Sequence, residues 1–161
     1  KTGITIMYMD EFMDSGDIIS QMEIEIKDDY TTEILHDKLK VIQFSSCDFE
    51  NITTIDLNNL DILVFVGCTD MTKLKMPKSR VLRVIGSELN FDGVDPSVVE
   101  KMLIQNSLVN NFTSLDSNDN LVEVNFDGTT ILDKDGKEVK DVKVMPHVSF
   151  SREDEFLPED R

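Results

Sequence analysis

"LKVIQFSSCDF" (Leu39–Phe49) and "LDILVFVGCTD" (Leu60–Asp70) read as two copies of one unit, with Leu39 falling on Leu60 and Cys47 on Cys68. In the first copy Leu39, Ile42, Phe44, Cys47 and Phe49 fill every set position of the spacing L-x-x-L-x-L-x-x-(N/C)-x-L. In the second, Leu60, Leu63, Phe65 and Cys68 do so, and Asp70 breaks the last position. A third copy at the same offset keeps Val81, Val84 and Phe91 but not Gly86 and Leu89. Leu121, Val124, Phe126, Thr129 and Ile131 restore the full pattern. Each unit offers a short strand whose alternate side chains point inward. No unit can bury them alone, so a repeat of this length implies coils stacked on one continuous core.

The pattern over residues 39–131 resembles an irregular leucine-rich repeat array. That resemblance implies an α/β fold: a short leucine-rich-repeat-like solenoid with parallel strands, here preceded by a β-hairpin plus helix. In such a stack Cys47 and Cys68 share one role, a small side chain at the bend after the strand, and should sit on neighbouring strands. Two thiols a whole repeat apart, with no paired histidine, give no zinc-ligand spacing, so no metal site is expected. Between Val81 and Leu121 there is room for one long repeat or two ordinary ones. "VDPSVVEKMLIQNSL" within that interval reads as a helix. Asp95 caps it, Pro96 opens it, and Val98, Val99, Met102 and Leu103 form its apolar face.

Working toward the N-terminus, "GITIMYM" alternates as a strand does, "DSGD" (Asp14–Asp17) is turn chemistry, and "IISQMEIEI" alternates again. "DDYTTEILHDKL" follows as a helix capped at Thr31 or Thr32, with Ile34, Leu35 and Leu39 as its stripe. Residues 2–39 resemble methionyl-tRNA formyltransferase in TGITIMYMDE, the DSGDI turn and TEILHDKL. The resemblance implies a Rossmann-like formyltransferase domain segment, with 10-formyltetrahydrofolate as formyl donor. It places the family's catalytic aspartate on Asp14, orienting and charge-balancing a general acid/base. The Asn and His that the family also needs belong to a strand that would precede Lys1. Catalysis by this chain alone is therefore not expected, and a fragment or a fusion of two products is anticipated. His36 and His147, the two histidines, read as surface or half-buried side chains.

Three further stretches read as structural. "DSNDNLVEVNFD" (Asp116–Asp127) imitates a calcium loop but lacks its central Gly and closing Glu, so a plain polar loop is expected. "ILDKDGKEVKDVKV" carries Asp135-Gly136, a hairpin signal that would cap the stack. "SREDEFLPEDR" reads as an acidic tail. The organisation expected is thus 1–38 hairpin-helix segment, 39–145 repeat region with terminal hairpin, and 146–161 tail.

The 161 residues carry a net charge of −16, which repels phosphate backbones and anionic membranes. Lys73 to Arg83 hold a loose basic cluster that reads as a solvated face. No apolar run reaches the roughly 18 residues of a membrane span. The sequons at Asn51 and Asn111 matter only in a secreted protein; an intracellular setting, cytoplasmic or nuclear, is the expectation. The function expected is a non-catalytic protein-protein interaction module. It would need no cofactor and would meet a protein partner with a basic surface through Lys40, Gln43, Ser45, Asp61, Val64 and Val66. The alternative is a formyltransferase, fragment or fusion, using 10-formyltetrahydrofolate on methionyl-tRNA.

Overall fold

The computed structural model describes residues 2–7, 18–34, 40–55, 57 and 60–153. Its centre is a wholly parallel sheet built from β3 (Val41–Ser45), β4 (Leu60–Val66), β5 (Ser79–Ile85), β7 (Lys101–Gln105), β9 (Glu123–Asn125) and β11 (Ser149–Ser151). These six strands lie in the order β11-β9-β7-β5-β4-β3. A second parallel sheet, of β6 (Glu88–Asn90), β8 (Leu108–Asn110) and β10 (Thr130–Ile131), forms a second side of the coils. The chain is therefore a solenoid of stacked parallel strands. Val41, Ile62, Val81, Lys101, Glu123 and Ser149 share one register position. The coils they delimit are unequal. The one from Ile62 to Val81 is two residues shorter than the first, and the last, from Glu123 to Ser149, is the longest.

The alternating pattern drives this arrangement, because successive strand side chains face opposite ways. Ile42, Leu63, Leu82, Met102 and Val124 form one inward row, and Phe44, Phe65, Val84, Ile104 and Phe126 the next; all ten are buried. The Phe44 and Phe65 rings stack at 5.2 Å, and Phe49 meets both edge-on at 5.4 and 5.6 Å. Cys47 and Cys68 fall on adjacent coils, as the repeat requires, and both are buried.

Each coil turns its corner after the first strand through a left-handed residue. These are Ser46, Gly67, Gly86, Asn106 and Gly128, with φ between 48° and 63°. Each donates its backbone N–H to the next coil, as in Ser46 N to Val66 O (2.8 Å) and Gly67 N to Ile85 O (2.8 Å). Gly128 has a second reason to be glycine, since a Cβ there would collide with the Asn106 side chain.

The small residue that follows forms a ladder. Cys68 N–H donates to Ser87 Oγ (2.9 Å), Ser87 N–H to Ser107 Oγ (3.2 Å), and Ser107 N–H to Thr129 Oγ1 (3.4 Å). The hydroxyls donate in turn to the carbonyls of Ile85, Gln105 and Ile104. Buried backbone donors must be satisfied, and here a side chain from the neighbouring coil does it. Serine and threonine thus do the same work on this rung, and the Cys68 thiol reaches the matching carbonyls of Val66 and Phe44.

Three expectations change. The third copy lies two residues earlier than a constant offset places it, because the coil leading to it is short. Ser79, Leu82, Val84, Ser87 and Leu89 are its inward set and all are buried, while Val81 faces outward. Asp70 does not end the second copy: it takes φ 56°, and Met71 drops into the vacant place, fully buried and bridged to Leu89. No long helix fills 95–103. Asp95 caps only a single 3-10 turn, Pro96–Val98, and Lys101–Gln105 is β7. Val99, Met102, Ile104, Ser107 and Val109 make a complete copy, so two ordinary coils separate Val81 from Leu121. The apolar residues there fit a helix face and a strand face alike, and stacking on finished neighbours selects the strand.

At the N-terminus β1 (Thr2–Met7) pairs antiparallel with β2 (Ile18–Ile24), as the alternation implies. Thr31 caps the helical turn at 32–34, its hydroxyl accepting from Ile34 N–H (3.3 Å). Asp14 and His36 lie outside the described residues. Asp133–Lys137 forms a tight turn with Gly136 at φ 74°, and Leu132 bridges Glu138 antiparallel.

Candidate functional site

The outward side of the six-stranded sheet presents rows running across the coils. One is Gln43, Val64, Arg83, Leu103, Asn125 and Ser151; a second is Ser45, Val66, Ile85 and Gln105. A solvated strand face should alternate to polar residues. This one keeps Val64, Val66, Val81, Ile85 and Leu103 half-buried at the surface.

Four of the residues singled out from sequence meet on this face. Gln43 and Ser45 are exposed on β3, with Gln43 Nε2 donating to Ser45 Oγ (2.8 Å), and Val64 and Val66 lie beside them on β4. Lys40 and Asp61 stand at the face's margin. The Lys40 carbonyl accepts from Asp61 N–H (2.8 Å), and Asp61 pairs with Arg80 Nε (3.6 Å). Arg83, Ile85 and Leu103 were not singled out. Arg83 reads in sequence as the end of a loose basic cluster on a solvated face, and Leu103 as part of a helix. Only the true coil lengths, shorter here than in the first coil, bring them into one row.

Ion pairs bind the margins of the face. Glu100 meets Arg80 Nη1 at 3.0 Å, Glu123 meets Lys101 at 2.8 Å, and Asp95 meets Lys78 at 3.0 Å. The Glu100 carboxylate, with Asp61 beyond it, holds the Arg80 guanidinium above its ordinary range. The Ser97 hydroxyl and Lys78 lower the Asp95 carboxyl to about 2. Asp127 is lowered by the Ser151 hydroxyl (2.7 Å), the Glu153 N–H (2.7 Å) and Asn125, and so pins the last coil to its neighbour.

The corner beside this face holds an open recess of about 470 Å³. Its lining includes Cys68, Asp70, Gly86, Ser87, Glu88 and Asn106. Its hydroxyls and backbone donors already serve the ladder described above. Burial pushes the Cys47 thiol up, and the Cys68 thiol beside it adds to the effect, so Cys47 is poorly nucleophilic.

The calcium-like stretch has a structural task. Asn118 is buried; its Nδ2 donates to the Pro96 and Val99 carbonyls and its Oδ1 accepts from Asn120 N–H. Asn120 Nδ2 donates to Ser97 O (2.6 Å). These asparagines tie two coils together. Among the described residues, no three His, Cys, Asp or Glu side chains gather as metal ligands. His147 is exposed, its Nε2 3.0 Å from the Leu121 carbonyl. Among the described residues no helix is long and apolar enough to cross a membrane.

Fold and face together define a parallel-strand solenoid that displays a partly apolar sheet surface, joined to a formyltransferase-like opening segment. Residues 1–46 match the family described as formyl transferase, a match that runs through β3. Over 39 residues the chain is 62% identical to the methionyl-tRNA formyltransferases of Bacillus thuringiensis (strain Al Hakam), Bacillus mycoides (strain KBAB4) and Bacillus cereus (strain B4264). That stretch is 24% of this chain and spans 12% of the length of those curated relatives. No solved structure matches the chain.

Proposed function

We propose that the chain is a non-catalytic protein-protein interaction module of leucine-rich-repeat type, working through the outward face of the six-stranded sheet. The observation that supports this is the cluster of half-buried aliphatics, Val64, Val66, Ile85 and Leu103, on a face where alternation should bring polar residues. Side chains left there lose solvent contact only when something covers them, which favours association. Lys40, Gln43, Ser45 and Asp61 form the polar edge of the same contact. The net charge of −16 favours a partner with a basic surface and disfavours nucleic acid and anionic membrane. No cofactor is required, and the setting proposed is intracellular, cytoplasmic or nuclear.

The test is site-specific photo-crosslinking from Val64 and, as a control, from Asn110 on the second sheet. The proposal requires a discrete crosslinked partner from Val64 and not from Asn110. Equal labelling from both would remove the face from consideration.

The identity over 39 residues favours a second reading, a formyltransferase present as a fragment or fusion, using 10-formyltetrahydrofolate on methionyl-tRNA with Asp14 in the catalytic role. Titration calorimetry with a 10-formyltetrahydrofolate analogue separates the two. The module reading expects no heat of binding. Binding that disappears in Asp14→Ala would replace it with the enzyme.

A further inference from the structure

Arg83 occupies the middle of the outward face. Val64 and Leu103 flank it across the sheet, and Val81 and Ile85 lie two residues away on either side along β5. The guanidinium is exposed, while the four aliphatics around it are half-buried. The other cations of this region are neutralised: Arg80 by Asp61 and Glu100, Lys101 by Glu123, Lys78 by Asp95. Among the described residues the Arg83 guanidinium has neither an ion pair nor a hydrogen bond, in a chain with twice as many acidic as basic residues. The reason is local, since each of its four neighbours on the face is a hydrocarbon.

Resting on the interaction reading above, we propose that Arg83 and its aliphatic ring form a carboxylate-reading anchor site. The ligand is a short segment of a partner protein that presents one carboxylate between apolar side chains. Covering the ring excludes water, which strengthens an ion pair made there. The planar guanidinium offers a bidentate match to a carboxylate. An arginine surrounded by water-excluding contacts is the usual form of an energetic anchor. A polyanion such as nucleic acid is disfavoured by the acidic surroundings, which a single carboxylate escapes. A second copy of this chain is disfavoured too, because a two-fold contact centred on the patch would set Arg83 against Arg83. The basic surface proposed for the partner and this central carboxylate act differently: long-range charge steers the encounter, and the buried pair fixes register.

The test uses short random peptides displayed on phage and panned against the full chain, with selected peptides measured by fluorescence polarisation. Enriched peptides should carry Asp or Glu between aliphatic or aromatic residues. Arg83→Glu, or amidation of the peptide carboxylate, should weaken binding about tenfold or more, whereas Arg80→Ala should leave it within about twofold. Circular dichroism should show the exposed-site variants folded. Peptides sensitive to Val64→Asp but not to Arg83→Glu would overturn the anchor and leave the interaction face standing. Peptides indifferent to both would overturn both, and no enrichment would overturn the anchor. A dimer in sedimentation that Val64→Asp dissolves would put a second copy on the face and overturn the partner proposed here.

Discussion

Ser107 offers a quantitative test of how the coils are held together. Its hydroxyl accepts from the buried Ser87 N–H at 3.2 Å and donates to the Gln105 carbonyl at 2.7 Å. Ser107→Ala removes both bonds, but the two losses differ. The Gln105 carbonyl keeps the Gly86 N–H at 3.1 Å, whereas the Ser87 N–H has no second acceptor among those observed. A buried donor left unsatisfied costs about 1–3 kcal/mol, and the carbonyl, still bonded, adds little. Ser107→Thr keeps the hydroxyl, and threonine already occupies this rung one coil later at Thr129, so it should cost less than the alanine variant. Urea unfolding monitored by circular dichroism reads both values. Hydrogen exchange should show the Ser87 amide losing protection in Ser107→Ala before its neighbours do. A cost under about 0.5 kcal/mol for the alanine variant, equal to that of the threonine variant, would refute the hydroxyl ladder as a source of stability.

Other perturbations separate packing, backbone and charge. Phe65→Ala deletes a fully buried ring that touches Phe44 and Phe49 and should cost about 3–5 kcal/mol in urea unfolding, close to the whole stability of a small domain. Gly86→Ala and Gly128→Ala both force alanine into the left-handed region, at about 1–2 kcal/mol. Gly86 has open space where its Cβ would go and Gly128 does not, so the Gly128 variant should be the less stable of the two in thermal melts. The Asp95 carboxyl is depressed to about 2 in the folded chain, from an ordinary value of 3.8. Its contribution is therefore fully present above about pH 4 and is lost as pH falls toward 2. The stability difference between the native chain and Asp95→Asn should shrink through that window, and a difference constant with pH would contradict the assignment.

How much of this was legible in the sequence follows from the coil lengths. The first two copies keep the same spacing, so Phe44, Cys47, Phe65 and Cys68 declare themselves. The next coil is two residues shorter, and a constant offset reads Val81 and Phe91 in place of Ser79 and Leu89. Asp70 looked like a break because a left-handed residue can absorb one extra position, which no periodic template contains. The fourth coil hid because Val98, Val99, Met102 and Leu103 satisfy a helical spacing too. What decides between helix and strand is the finished edge of β5, a contact one whole coil away in sequence. Serine and threonine on the ladder were invisible to a pattern that asked for Cys or Asn, although the hydroxyl performs the same task. The outward face was legible at β3 and β4, where Gln43 and Val64 follow from alternation, and illegible at Arg83 and Leu103, whose place depends on the corrected register.

The stacking of coils in parallel register underlies every statement above, and a distance across the stack tests it directly. Nitroxide labels at exposed Ser45, the end of β3, and exposed Glu153, just past β11, in a chain carrying Cys47→Ser and Cys68→Ser, report across the whole six-stranded sheet. Five strand steps of about 4.8 Å place them about 24 Å apart before the label tethers are added. Double electron–electron resonance should give one narrow distribution near that value. A mean beyond about 35 Å, or a distribution without a maximum, would contradict the stacked solenoid.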